Sequence, residues 1–243
     1  MFKKFLVDFL LFLTFGLLTY IYAHIKMGTE IDKVFITLST FLFSIFVGFF
    51  ISKQSSRYTE IRKCIADYDG LMSSFYRAMQ HFSKQAQASA GTIIASHYQN
   101  ILNHGWDYPF TNKTTTLTDL HILSEEVVQT YGTDGIKNAV INRHMIGLQE
   151  LQKLRKNLVS LREERIPTFQ WSLILLIATI LTVTISTVTS VDLLFLSSIK
   201  AAFVCCIVVA VVLLYKLDTL ELFSGNIGEH SAQDVLNIIQ GTK

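Results

Sequence analysis

Charged residues and prolines are scarce in this 243-residue sequence, and its few cysteines cannot form a disulfide framework. Asp, Glu, Lys and Arg make up 16% of the chain, whereas 50% of the residues are hydrophobic. This composition is too apolar for an ordinary water-soluble domain and indicates a membrane protein. The chain has 2 prolines and 3 cysteines. Because Cys205 and Cys206 are adjacent and Cys64 lies in another segment, a disulfide framework is excluded, and we interpret all three as small residues inside helices.

Motifs for enzymatic chemistry are also lacking. The sequence has no phosphate-binding glycine loop, no GxSxG elbow and no HExxH pair. Its 7 histidines are scattered, without the cysteines or carboxylates that would complete a metal ligand set. Asp67 and Asp69 point in different directions on a helix, so we expect solvated side chains or ion pairs with Arg62, Lys63 or a later arginine instead of a catalytic dyad. We therefore expect no enzyme activity, no cofactor and no metal. The net charge of +2 gives no reason to expect nucleic acid binding.

Four segments are long and apolar enough to cross a bilayer, which takes roughly 20 helical residues. We predict transmembrane helices at about Phe5–Ile25, Val34–Ser52, Thr168–Thr189 and Leu193–Tyr215. The first ends in tyrosines and a histidine without a small-residue cleavage pattern, which favours a retained helix over a signal peptide. Lys200 lies inside the fourth, and from there a lysine can snorkel past Ser197 and Ser198 toward the interface.

These segments divide the chain into four predicted parts. Residues 1–52 hold transmembrane helices 1 and 2, residues 53–167 form a helical domain, residues 168–216 hold helices 3 and 4, and residues 217–243 form a C-terminal tail. Most of the 21 Lys and Arg residues lie between Lys53 and Pro167, including clusters next to the membrane at both ends. By the positive-inside rule, we expect the middle domain and both termini to be cytoplasmic.

The middle domain is predicted to be helical throughout, and no β-rich segment competes, so the fold class is all-α. Apolar residues at three and four spacing extend helix 2 to about Gln87, before a loop at Ala88–Thr92 and a shorter helix from about Ile93 to Asn103. Thr116 and Asp119 predict a capping box for a helix that ends near Tyr131. The last helix runs from Thr133 or Asp134 to Ile166, and its leucines at intervals of three, four and three predict a seam for another helix: Leu151, Leu154, Leu158 and Leu161.

The stretch VGFFISKQSSRY, from Val47 to Tyr58, marks the exit of helix 2 from the membrane. It resembles the second-helix motif of the bestrophin channels: a glycine, two aromatic residues, a short hydroxyl-bearing stretch, and an arginine followed by an aromatic residue. The rest of the chain is similar to a small bacterial bestrophin-like family whose function is not assigned. The similar features are Arg57 followed by an acidic position at Asp67 or Asp69, the run LQELQKLRKNLVSLREERIP with Trp171 behind it, and LDTLELFSG.

Two departures limit what this resemblance implies. The proline that usually follows the aspartate of the last motif is absent, and residues Thr219–Leu222 intervene before Phe223. The acidic calcium-binding cluster of animal bestrophins has no counterpart, so calcium gating is not expected. What the resemblance does imply is a ring-shaped homo-oligomer, a pentamer in that family, in a bacterial inner (plasma) membrane.

The resemblance also implies that helix 2 lines a central pore. The three positions of the family's hydrophobic neck correspond to Phe41, Ile45 and Phe49, whose spacing by four places them on one helix face. Lys53 continues this face and Arg57 follows it, so rings of both cations would concentrate anions at the cytoplasmic mouth. Composition alone favours another interpretation, in which the phenylalanines face lipid and the two cations only obey the positive-inside rule.

The sequence therefore predicts a bestrophin-like oligomeric ion channel in the lipid bilayer, conducting small inorganic ions with a preference for anions. The alternative is a non-conducting membrane scaffold or sensor whose cytoplasmic helices bind a partner protein, an idea supported by the leucine seam. A membrane-embedded enzyme comes third, because no nucleophile, metal set or acid-base pair can be named for it.

Overall fold

The computed structural model describes residues 13–22, 24, 33–132, 134–188, 193–221 and 228–241. In these residues the chain forms helices and no strands, which confirms the all-α fold class. The helices are α1 Leu13–Tyr22, α2 Lys33–Met79, α3 Lys84–His104, α4 Tyr108–Thr111, α5 Thr116–Tyr131, α6 Ile136–Glu163, α7 Thr168–Thr187, α8 Leu193–Asp218 and α9 Gly228–Gln240.

The chain divides into two compact units. We call residues 1–55 and 165–219 the membrane unit, and residues 56–164 and 220–243 the helical unit. Three helices among the described residues are long and apolar enough to cross a membrane: Val34–Met79, Thr168–Thr187 and Leu194–Asp218. The predicted first span lies partly outside the described residues, and its described part is the short apolar helix α1. The number of four spans therefore stays a prediction.

The core of the membrane unit is made of apolar side chains from α2, α7 and α8. The buried residues are Phe43, Val47 and Phe50 of α2, Ile174, Ala178 and Leu181 of α7, and Val204, Ile207 and Leu214 of α8. Pro167 is the N-cap residue of α7. At the start of a helix the missing N–H of proline removes no hydrogen bond within the helix. The Tyr22 hydroxyl lies 2.7 Å from the Ser186 hydroxyl and so links α1 to α7. No disulfide joins Cys64, Cys205 and Cys206.

The helical unit buries the continuation of α2 as the spacing of its apolar residues predicts. The buried apolar residues of this part include Ile61, Ile65, Tyr68, Met72, Phe75 and Met79. Around them α3 packs on α4, α5 and α9, while α6 packs on α4 and α5. In the leucine seam, Leu151 and Leu158 are buried, and Leu154 and Leu161 pack against the same core. The seam is therefore occupied within its own chain.

The predicted loop at Ala88–Thr92 is wrong, because the chain turns at residues 80–83 and then enters α3. Ser83 is the N-cap of α3, and its hydroxyl accepts a hydrogen bond from the Ala86 N–H at 2.9 Å. Gly91 is buried at a close helix contact, since a Cβ there would lie 3.1 Å from the Tyr76 ring and 3.2 Å from Ile239. Small residues that resemble a loop in sequence thus allow α3 to approach its neighbours.

The predicted capping box is also displaced by one residue. The N-cap of α5 is Thr115, and its side chain caps no backbone N–H. Instead the Thr115 hydroxyl donates to the Asp119 carboxylate at 2.8 Å. The helix nevertheless ends at Tyr131 with Gly132 in a positive-φ conformation, as the sequence predicts.

Asp69 joins three helices of the helical unit instead of forming the solvated or ion-paired side chain expected for it. Its carboxylate is buried and accepts hydrogen bonds from the hydroxyls of Tyr98 on α3, at 2.5 Å, and Ser231 on α9. Two hydroxyl donors replace the expected cation, because burial makes an unsatisfied carboxylate costly. The same α9 buries Ala232, Val235 and Leu236 in the core. The predicted C-terminal tail thus contributes a packed helix.

Candidate pore-lining site

The two faces of α2 within the membrane unit have opposite environments. Phe43, Val47 and Phe50 are buried in the core of the unit. The predicted neck residues lie on the other side, with relative exposures of 59% for Phe41, 50% for Ile45 and 62% for Phe49. The three apolar side chains therefore form a stripe that the described residues of the membrane unit do not cover.

The structure separates the two cations that were predicted at the exit of α2. Lys53 is exposed, whereas Arg57 has a relative exposure of 4%. The Arg57 guanidinium donates to the carbonyl oxygens of Leu161, at 2.5 Å from Nε, and Arg162, at 2.8 Å. These carbonyls belong to the last turn of α6, where helical carbonyls lack partners within the helix. Arg57 thus fixes the end of α6 in the helical unit.

Helical geometry explains this separation. Each step of four residues turns the side chain by about 40° beyond a full circle, so from Phe41 three steps bring Lys53 about 120° away and four steps bring Arg57 about 160° away, on the buried side. Ser52 and Ser56 instead lie only about 20° and 60° from Phe41 on an ideal helix, and both are exposed. The apolar stripe therefore continues into hydroxyl groups, which sequence reasoning missed because it followed a strict spacing of four.

A buried carboxylate fixes α2 to α7 and α8 inside the membrane unit. Asp218, with a relative exposure of 5%, ends α8. Its oxygens accept hydrogen bonds from the Gln54 side-chain amide at 3.1 Å, the Ile166 backbone N–H at 2.8 Å and the Trp171 indole N–H at 3.2 Å. We call these four residues the Asp218 cluster. The sequence signal was the aspartate in LDTLELFSG, but its partners are far away in the chain.

This arrangement of helices matches one known family. The family model described as the Bestrophin-like domain matches residues 9–228 of the chain. The chain belongs to the bestrophin-like family. This membership confirms the resemblance found in the sequence and supports a bestrophin-type channel family. The protein is accordingly an integral membrane protein.

Solved structures support the bestrophin-like fold. One variant of a membrane protein has a TM-score of 0.67 at 15% identity, covering 96% of this chain and 97% of its own. A variant of a bacterial bestrophin homologue from Klebsiella pneumoniae has a TM-score of 0.64 at 14% identity, covering 96% of this chain and 97% of its own. No curated protein matches the sequence. At such low identity these structures show the fold of the bestrophin-like chain alone.

The helical unit of this bestrophin-like protein contains a second polar feature, a cavity of about 230 Å³ beside His144. Ser74, His81 and Arg143 contribute polar groups to its lining. His144 is buried and stacks on Phe75, with ring centroids 4.5 Å apart, and neither of its ring nitrogens has a hydrogen-bond partner among the described residues. No group of three His, Cys, Asp or Glu side chains in the described part of the chain could hold a metal ion.

Burial makes protonation of His144 and His97 unfavourable in the folded protein. Burial, with a smaller effect of His81, lowers the pKa of His144 to about 4, and burial together with Arg155 lowers the pKa of His97 to about 4. The unfolded chain therefore takes up protons first as the pH falls. The stability contributed by each histidine is present above about pH 6.5 and is progressively lost as the pH falls toward 4.

We expect His144→Leu to reduce this acid sensitivity. The variant has no imidazole to protonate, so its melting temperature should fall less between pH 7.5 and pH 5 than that of the unchanged protein. At pH 7.5 it should be at least as stable, because two unpartnered buried nitrogens are removed. Other titrating groups are present in both proteins, so their contributions cancel when the two curves of melting temperature against pH are subtracted. Parallel thermal-shift curves for both proteins would contradict the assignment.

Proposed function

We propose that this chain forms a homo-oligomeric ion channel in which copies of α2 surround the pathway. Phe41, Ile45 and Phe49 form apolar rings, and Lys53 forms a ring of positive charge at the cytoplasmic mouth. Family membership supports an oligomeric channel, and by resemblance we propose five subunits. The membrane is a bacterial inner membrane, with both termini in the cytoplasm.

The observation that carries the proposal is the uncovered stripe on α2. A helix inside a packed unit buries one face, and α2 does so through Phe43, Val47 and Phe50. Its opposite face keeps three large apolar side chains at least half exposed. In a closed ring, equivalent stripes from several copies face the axis, where apolar constrictions gate by dewetting.

The charge at the mouth is assigned to Lys53 and not to Arg57. Lys53 is exposed at the end of the stripe, after the hydroxyl of Ser52. Arg57 would reach the pathway only by leaving the α6 carbonyls that it binds. A ring of ammonium groups concentrates anions and repels cations, so we propose a preference for anions.

Substitutions in the neck test the pathway. In purified protein reconstituted into planar bilayers, Phe41→Ala and Phe49→Ala should each raise the conductance severalfold, because a smaller apolar ring is wider and easier to wet. Phe169→Ala is the matched control, since this phenylalanine of α7 has a relative exposure of 69% but lies outside the stripe. Equal currents in all three variants would remove the pore assignment.

Reversal potentials recorded in the same bilayers under a salt gradient test the role of Lys53 at the cytoplasmic mouth. Lys53→Glu should shift the reversal potential toward cation selectivity, whereas Lys53→Arg should leave it unchanged because the charge is kept. Lys63→Glu, an equally large charge change at an exposed position of the helical unit, serves as the control. A reversal potential that does not respond to Lys53→Glu would overturn the proposed anion preference but not the assignment of the apolar neck.

The rival function, a scaffold or sensor that binds a partner through the leucine seam, loses its main support. All four leucines of the seam pack into the core of the helical unit. They are therefore not available to an external helix without opening that core.

A further inference from the structure

A large cavity lies between α2, α7 and α8 in the membrane unit. Its volume is about 650 Å³, within the roughly 300–1,000 Å³ typical of ligand sites. Most of its lining is aliphatic or aromatic, including Phe43, Leu181 and Ile207. Ile199, Phe203 and Cys206 line it and are exposed at the surface of the unit. The cavity is thus open to whatever surrounds the helices, which for a transmembrane helix is lipid.

One cation lines this apolar cavity. Lys200, with a relative exposure of 7%, lies within the membrane-spanning helix α8. Its ammonium group donates to the carbonyl of Val188, the C-cap residue of α7. An ammonium has three N–H donors, so this carbonyl occupies only one of them. A lysine at such a depth is costly and marks a functional site by default.

The shape of the cavity matches an acyl chain. Its lining runs along α8 from Leu196 to Ala210, which is about 21 Å at 1.5 Å per residue. Lys200 lies near the end of the cavity where α7 stops and α8 starts. On the wall formed by α2, the hydroxyl-bearing side chains are those of Thr40 and Ser44. A ligand with a negative group at one end and a long apolar body fits this distribution of charge.

We infer that this cavity binds one anionic phospholipid of the surrounding bilayer, with its phosphate on Lys200 and an acyl chain along α8. The apolar wall supplies contact area for the chain, and the ammonium selects for the negative headgroup. This site is separate from the stripe on α2, so it does not depend on the proposed conduction pathway.

Native mass spectrometry of the purified oligomer measures the preference directly. The protein is delipidated and titrated with phosphatidylglycerol or with phosphatidylcholine carrying the same acyl chains. Both lipids carry the phosphate, but the quaternary ammonium of phosphatidylcholine repels the Lys200 ammonium, so we expect phosphatidylglycerol to bind severalfold more tightly. Lys200→Met should abolish this difference, whereas Lys200→Arg should preserve it. Lys216→Met, a loss of charge at the other end of α8, should also preserve it.

Cys206→Trp tests the apolar part of the site and leaves Lys200 in place. The bulky indole should obstruct the cavity and reduce binding of both lipids at this site. Equal affinity for the two lipids in the unchanged protein, or a preference that survives Lys200→Met, would overturn the inference. It would equally be overturned if Cys206→Trp changed the subunit number seen in the same spectra without changing lipid binding, because the cavity would then be a subunit contact.

Discussion

Asp218→Leu should destabilise the protein by about 4 kcal/mol, because two buried donors and one partly buried donor would lose their acceptor at once. The donors are the Gln54 amide, the Ile166 N–H and the Trp171 indole. Leucine has nearly the shape of aspartate, so the loss comes from unsatisfied polar groups and not from a cavity. Thermal unfolding in detergent, followed by intrinsic tryptophan fluorescence, measures the change through Trp171 together with Trp106.

Two variants bracket this result. Asp218→Asn keeps one carbonyl oxygen but turns an NH₂ group toward a donor, so its stability should lie between those of the leucine variant and the unchanged protein. Glu221→Leu removes an exposed carboxylate three positions further along the chain, and we expect a change of about 0.5 kcal/mol at most. If both leucine variants unfold at the same temperature, Asp218 does not hold α2, α7 and α8 together.

Arg57→Met should cost about 3 kcal/mol, since a buried guanidinium that donates to two carbonyls is replaced by a side chain without donors. The carbonyls of Leu161 and Arg162 at the end of α6 would then lose their partner. Arg57→Lys keeps the charge, but an ammonium has no planar fork to bind both oxygens. The stability of this variant should therefore lie between those of Arg57→Met and the unchanged protein.

Lys53→Met is the matched control for this substitution, because Lys53 lies on the same helix and is exposed. Its effect on the melting temperature should be small, although its effect on ion selectivity should be large. Arg57→Met should instead have a large effect on the melting temperature and a small effect on ion selectivity. A melting temperature that responds equally to Arg57→Met and Lys53→Met would contradict the assignment of Arg57 to the end of α6.

Local periodicity explains what the sequence could predict. The apolar repeat of α2 identifies both a membrane span and its continuation beyond the membrane, because every third or fourth residue faces a core. The predicted end at about Gln87 is too late, since the helix ends at Met79. The start of α7 after Pro167 and the end of α5 at Gly132 follow from the backbone preferences of proline and glycine. The family followed from motifs spread over most of the chain.

Contacts between distant residues explain what it could not predict. Gln54 and Asp218 lie 164 positions apart, so no local pattern reveals that they meet. Arg57 looked like a surface cation because its acceptors are backbone carbonyls, which carry no signature in the sequence. Ala90 and Gly91 suggested a loop until the neighbouring helices that require small residues were in place.

The packing of α9 has a consequence for biosynthesis. Ser231, Ala232 and Leu236 complete a core that otherwise comes, apart from Leu220, from residues before α7. A ribosome makes proteins from the N-terminus at about 5–20 residues per second, so α7 and α8 are translated before this core can close. Until α9 arrives, the nascent helical unit exposes the surface around Tyr98 and Ala90. Chains released early, after α8, should therefore be preferred substrates for chaperones and proteases.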